Sequence, residues 1–221
     1  MREFEKTFSL PAKQKNEKKD EAEEALKQSL KRLKTDYFDL YQLHAMTTEE
    51  DFNTAMGPGG AIEAFIEAKE KGLIRHIGFS AHSAEIAVKL LDAFNFDSVL
   101  FPFNWVCFKN GNFGPQVISK AKEKGVGLLA LKAMAKTHWA EKEERDYPKC
   151  WYKPVTDEEE INLAVRFTLS EPITAAIPPG DIRLFRKAIE VVADGFKPLS
   201  DDERSILMKR AEGFNPIFTA V

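Results

Sequence analysis

Residues 29–44 read Ser-Leu-Lys-Arg-Leu-Lys-Thr-Asp-Tyr-Phe-Asp-Leu-Tyr-Gln-Leu-His, and the apolar period changes within the run. Ala22, Ala25, Leu26, Ser29, Leu30 and Leu33 fall at the spacing of one buried helical stripe. From Tyr37 onward the pattern is that of a short strand, in which side chains alternate between faces. His44 therefore shares a face with Gln42, Leu40 and Phe38, while Asp39 and Tyr41 point the other way. That makes Asp39 a structural partner behind the sheet rather than a partner of His44. A helix that hands over to an apolar strand is one turn of the βα alternation that builds parallel sheets.

Outward from this run the alternation continues. Strands are predicted at residues 7–12, 37–44, 74–80, 98–101, 127–131 and 173–177. Helices are predicted at 20–33, 61–71, 84–94, 115–124, 157–170 and 182–192, with a last helix at 201–210. Thr156 with Glu159, and Ser200 with Glu203, have the spacing of capping boxes. Pro115 suits a first helical turn, and Gly72 and Gly125 suit left-handed helix ends. Ala-Lys-Glu-Lys-Gly occurs at both 68–72 and 121–125, each time leading into an apolar strand. Six units over residues 7–192 average about 31 residues, so eight would need about 248. The chain reads as two units short of a closed eight-stranded barrel, which leaves an open doubly wound sheet or a barrel without its beginning. Gly57-Pro58-Gly59-Gly60 lacks the spacing of a dinucleotide-binding turn.

Composition narrows the function. Of 221 residues 43% are hydrophobic and 30% charged, with a net charge of −3, which argues against nucleic acid or an anionic membrane as partner. No apolar run approaches the roughly 18 residues of a spanning helix, and the start of the chain does not read as a secretory signal. The expectation is a cytoplasmic protein with two reduced thiols, since Cys107 and Cys150 make neither a disulfide framework nor a four-cysteine zinc site. His44, His82 and His138 follow predicted strands, on the rim where parallel barrels hold reactive groups, whereas His76 lies near a strand start. A metal-dependent hydrolase would use such histidines, but no H-x-H or H-E-x-x-H spacing is present, and no metal is expected.

The run ending at His44 closely resembles the segment of aldo-keto reductases that enters the fourth barrel strand. Gly60-Ala61-Ile62-Glu63-Ala64 and the stretch from Lys71 to Ser80 resemble the next helix and fifth strand. Pro102-Phe103-Asn104, Leu131-Lys132 and the stretch from Ile173 to Pro178 resemble the sixth, seventh and eighth strand ends. The resemblance implies an α/β fold of the (β/α)8 TIM-barrel type, incomplete, with about six β/α units and a C-terminal helix. Residues 1–221 would form one such domain lacking the first two units.

It also implies NADP(H)-dependent reduction of small aldehydes or ketones. In the family a tyrosine donates the proton, a lysine and an aspartate tune that tyrosine, and a histidine orients the carbonyl. By resemblance His44 is that histidine and Lys13 that lysine, with Ala12 where the motif has threonine. The aspartate and tyrosine belong upstream, and neither Tyr37 nor Tyr41 replaces the proton donor. Cofactor contacts carried over are Ser80, Asn104, Pro178, Gly180, Arg183 and Arg186. Lys187 adds charge near a helix N-terminus that suits phosphate, with Asp181 as its cap. Trp151 and Tyr152 form either a substrate-side wall or core packing. Cysteines 43 residues apart exclude the iron–sulfur module of some relatives. An oxidoreductase impaired in this chain alone is the expectation; the alternative is a non-catalytic cofactor-binding or interaction protein. Open barrel edges lead to the further expectation of a homo-oligomer.

Overall fold

The computed structural model describes residues 7–9 and 18–220. They fall into two compact units, one running to Leu100 with residues 123–126, the other comprising residues 101–122 and 127–221.

The first unit is a parallel sheet. Strand β1 (Thr7–Ser9) pairs with β2 (Phe38–Met46), β2 with β3 (Ile74–Ala81), and β3 with the start of β4 (Ser98–Pro102). The crossovers are α1 (Lys19–Leu33), the pair α2 (Glu49–Met56) and α3 (Ala61–Glu70), and α4 (Ala84–Ala93). The predicted stripe of α1 buries Ala22, Leu26 and Ser29 but stops there, because Leu33 at the helix end is 53% exposed. Phe38, Tyr41 and Phe65 form an aromatic cluster with centroids 5.6 and 5.0 Å apart, and Phe79 meets Phe96 at 4.7 Å. Each such buried ring contributes roughly 1.5–3 kcal/mol. Asp39 pairs with Arg75 at 2.7 Å, a structural role as expected.

One glycine is required by space. A Cβ at Gly78 would stand 2.3 Å from Ser98 Oγ and 2.9 Å from the Ser98 carbonyl oxygen, where β3 and β4 approach. Gly72 and Gly125 have φ of 71° and 69°, the left-handed helix ends anticipated for them.

The second unit contains α5 (Trp105–Gly111), most of α6 (Pro115–Lys124), β5 (Gly127–Leu131) and an antiparallel hairpin of β6 (Ala135–His138) and β7 (Tyr152–Pro154). It continues with α7 (Glu158–Leu169), β8 (Ala175–Ala176), α8 (Ile182–Ala193) and α9 (Asp201–Ala211). Strands β5 and β8 run parallel. Phe103 stacks on Phe167 at 5.5 Å, and Phe113 lies between Phe101 and Phe218 at 4.7 and 5.2 Å. The Arg166 guanidinium joins α7 to α9 by two bonds to the Glu203 carboxylate, at 2.6 and 2.7 Å. With the Ser200 amide this pulls the Glu203 carboxyl down to about 2. Ser200 and Glu203 form the predicted capping box. Helix α7 is capped differently from the expectation: Asp157, not Thr156, accepts from the Glu160 amide.

Helices α2 and α5 and the β6–β7 hairpin were not anticipated. The Gly78 packing leads to a prediction: Gly78→Ala should lower stability by about 1–3 kcal/mol, the usual cost of overpacking. Chemical denaturation of wild type and variant checks it through the midpoint at unchanged slope.

Candidate functional site

At the C-terminal end of β2 the parallel register slips. Leu43 faces Phe79 and Met46 faces Ala81, so three residues of β2 are set against two of β3. The surplus residue is taken up at Ala45, whose φ of 53° is left-handed and costly for a side chain with a Cβ. The Ala45 amide turns toward β3 and donates to Ser80 Oγ at 2.8 Å. Ser80 is 3% exposed, and its hydroxyl lies 3.4 Å from His44 Nδ1.

Ser80 Oγ accepts from Ala45 and has its own proton to give, and we assign that proton to His44 Nδ1, the ring nitrogen beside it. His44 then carries its proton on Nε2. Burial pushes the His44 imidazole below its ordinary value of 6.5, so near neutral pH the ring is uncharged and presents an N–H donor. The ring is half-buried. Tyr41, on the same strand, is fully enclosed against Phe38 and Phe65, and burial pushes its hydroxyl up to about 12. It is no proton donor to a substrate, as its strand face implied. Lys13 lies outside the described residues.

In the second unit the residues assigned to the cofactor have varied surroundings. Asn104 is fully buried and caps α5: its Oδ1 accepts from the Cys107 amide at 2.9 Å and its Nδ2 lies 3.3 Å from Cys107 Sγ. Pro178 and Gly180 are exposed, and space around Gly180 is open. Asp181 caps α8, as expected, accepting from the Arg183 amide at 3.0 Å. It also binds the Arg183 guanidinium through two bonds of 3.0 and 2.9 Å, while Arg183 reaches the Asp146 carbonyl at 2.6 Å and covers the Tyr147 ring. Arg183 is thus committed within the chain, and the α8 N-terminus already holds an anion. Arg186 is exposed and has no ion pair among the described residues. An added phosphate would meet the Asp181 carboxylate at this helix end, so the residues present do not fit a phosphate cradle there.

The remaining candidates divide similarly. His76 is paired with Asp97 at 3.3 Å. His138, at the end of β6, faces the Trp151 ring. Tyr152 is buried, whereas Trp151 is 44% exposed. Both cysteines are free and buried. Among the described residues no three His, Cys, Asp or Glu side chains converge as a metal site would need, and no helix is long and apolar enough to cross a membrane. One residue was passed over: Lys132, which follows β5, has φ of 69°. Sequence offers no signal for that conformation, because lysine has no preference for it.

Comparison with known proteins places these features. The profile of the aldo/keto reductase family matches residues 5–193. The holo form of aldo-keto reductase AKR11C1 from Bacillus halodurans superimposes with a TM-score of 0.63 at 22% identity, over 92% of this chain and 70% of that one. The Bombyx mori aldo-keto reductase AKR2E4, solved in complex with NADP, gives 0.61 at 17% identity, over 91% and 66%. The oxidoreductase YqkF of Bacillus subtilis is 41% identical over 81 residues, 37% of this chain and 24% of that protein. The methylglyoxal reductase DkgB of Salmonella typhimurium is 34% identical over 84 residues, 38% of this chain and 30% of that protein. These matches span under a third of either curated relative. The fold is accordingly the α/β TIM-barrel type, incomplete, and the chain belongs to the aldo/keto reductase family.

Proposed function

We propose that this chain binds small aldehydes or ketones through His44 and carries out NADP(H)-dependent reduction only poorly by itself. The observation that carries the reading is the Ala45–Ser80–His44 relay at the ends of β2 and β3, in a family of carbonyl oxidoreductases. A neutral imidazole with its proton on Nε2 donates to a carbonyl oxygen and draws electron density from the carbonyl carbon. It orients and polarises the substrate without serving as its acid. Lys13 is proposed as the amine of the same chemistry. Among the described residues none is assigned the tyrosine's part as proton donor, and general acid catalysis is worth typically 10²–10⁴-fold.

Cofactor affinity is weak in this reading. Ser80 has both hydroxyl functions engaged, Asn104 is committed to capping α5, and Arg183 is neutralised by Asp181. That leaves Arg186, Pro178 and Gly180 as the accessible part of the proposed NADP(H) contact set. The second reading is a non-catalytic cofactor-binding or interaction protein, and the closed Asp181–Arg183 pair is the observation that favours it. A cytoplasmic homo-oligomer is proposed in either case. Helix α8 exposes Ile182 and Ile189 at 56% and 47%, on a stripe that continues through Phe185 and Val192.

Three outcomes are expected. Titration of the purified chain with NADPH, followed by cofactor fluorescence and by consumption with a panel of aldehydes, should give weak binding and near-background turnover. Robust turnover would show that a proton donor has been missed. In nitrogen-15 NMR, His44 should titrate below 6.5 and show the Nε2-protonated pattern; Ser80→Ala should mix the two tautomers, and Ser80→Thr should keep one. Light scattering should report a mass above that of a single chain, and a monodisperse monomer would contradict the self-association.

A further inference from the structure

We propose that Lys132 is a carbonyl-reactive amine, a site in the second unit where small aldehydes condense on Nζ to give a reversible imine. The site is separate from hydride transfer and needs neither cofactor nor His44.

The argument begins with the backbone. Strand β5 ends at Leu131, and Lys132 then takes its φ of 69°, a strained value of the kind that clusters at functional positions. Its carbonyl accepts from the Ala135 amide at 2.8 Å, closing a tight turn into the β6–β7 hairpin. That turn lays the side chain against the start of β7. Nζ stands 5.2 Å from the centre of the Tyr152 ring and 5.7 Å from that of Trp151.

The lysines in the two strands of this hairpin have acidic partners. Lys136 meets Glu160 at 2.7 Å, and Lys153 pairs with Glu143. Lys132 has no carboxylate partner among the described residues. The titratable groups that face it are Cys150 and Tyr152, and burial pushes both of them upward, so each stays protonated and neutral. Asp181 lies beyond Cys150 with its charge taken up by Arg183, and His138 lies across the Trp151 ring. The aromatic faces attract an ammonium, but at these distances they are near the limit of about 6 Å for that effect. Burial without a counterion therefore shifts Lys132 toward the free amine. Desolvated lysines of this kind attack carbonyl carbons. With Trp151 44% exposed, one wall of the site opens to solvent.

The chemistry balances without an oxidant or reductant. The Nζ lone pair attacks the aldehyde carbon, and the carbonyl oxygen gains the proton that nitrogen loses. The resulting carbinolamine expels water to leave a C=N bond. Hydrolysis reverses both steps.

The test uses the full chain without cofactor, treated at neutral pH with propanal and cyanoborohydride, which reduces imines in place. Peptide mass spectrometry then compares Lys132 with the exposed Lys27 and Lys71, whose side chains are 67% and 63% accessible. Lys132 should be alkylated severalfold faster, because burial leaves more of its amine free at neutral pH. Trp151→Ala, which admits water to the amine, should bring its rate toward those of the exposed lysines. Lys132→Arg should remove the adduct from that peptide. Alkylation of Lys132 no faster than of Lys27 and Lys71 overturns the proposal, as does fast alkylation that Trp151→Ala leaves unchanged. NADPH consumption is not part of the readout, so this result and the reductase reading fail or stand separately.

Discussion

A single surplus residue in β2 organises the chemistry at its C-terminal end. Hydrogen bonds between parallel strands are evenly spaced, so a strand with one residue too many must turn an amide out of the ladder. Here that amide is Ala45 N–H, and Ser80 Oγ receives it. The left-handed backbone at Ala45 costs about 1–2 kcal/mol. A well-formed hydrogen bond returns about 1 kcal/mol of that, and burial of Met46 beyond the bulge adds to it. With the Ser80 proton assigned to His44 Nδ1, His44 is left as a donor at Nε2. The tautomer of the proposed carbonyl-binding group is thus a consequence of strand register. Gly78 acts at the same level, since its missing Cβ lets Ser98 approach and lets β4 pair beside β3.

Family membership and retained chemistry are different questions, and the charged groups show why. The first turn of α8 has the residue types of an anion site: exposed Gly180, Arg183, Arg186 and free amides. Geometry gives Arg183 to Asp181 in a two-pronged pair, which satisfies the helix end from within. A phosphate there would have to displace a carboxylate held by both a guanidinium and a backbone amide. Asn104 is a parallel case, with its amide turned into the first turn of α5. Both side chains were expected to face the cofactor and have internal partners in space.

Sequence reading succeeded where local periodicity and caps decide. The stripe of α1, the Ser200–Glu203 box and the left-handed glycines are set by neighbours a few residues away, whereas the strand predicted to end at His44 runs on to Met46. It failed where pairing partners are distant. The β6–β7 hairpin joins residues 135–138 to 152–154 across a long connection, and nothing local announces that pairing. Helix α2 was legible, since Thr48 and Asp51 form a reciprocal cap, but an eight-residue helix with little apolar periodicity is easily read as loop. Leu33 extends the α1 stripe in sequence yet lies at the end of the helix, where Lys34 turns left-handed and closes it. The φ values of Ala45 and Lys132 arise from register and turn closure, and neither residue type foretells them. Lys13 carried the resemblance as firmly as His44 did, but lies outside the described residues.

His44 and Lys132 stand at the ends of different strands and share one physical condition. Each is a nitrogen base partly withdrawn from water, with no carboxylate among the described residues to hold its proton, and desolvation favours the neutral form of both. Counting histidines and lysines therefore says little about chemistry here; the acids that face them decide it. A neutral imidazole supplies a hydrogen bond to a carbonyl oxygen, and a neutral amine supplies a lone pair to a carbonyl carbon. Both proposed roles rest on leaving a base uncompensated at the end of a strand, and both would be directed at the same functional group.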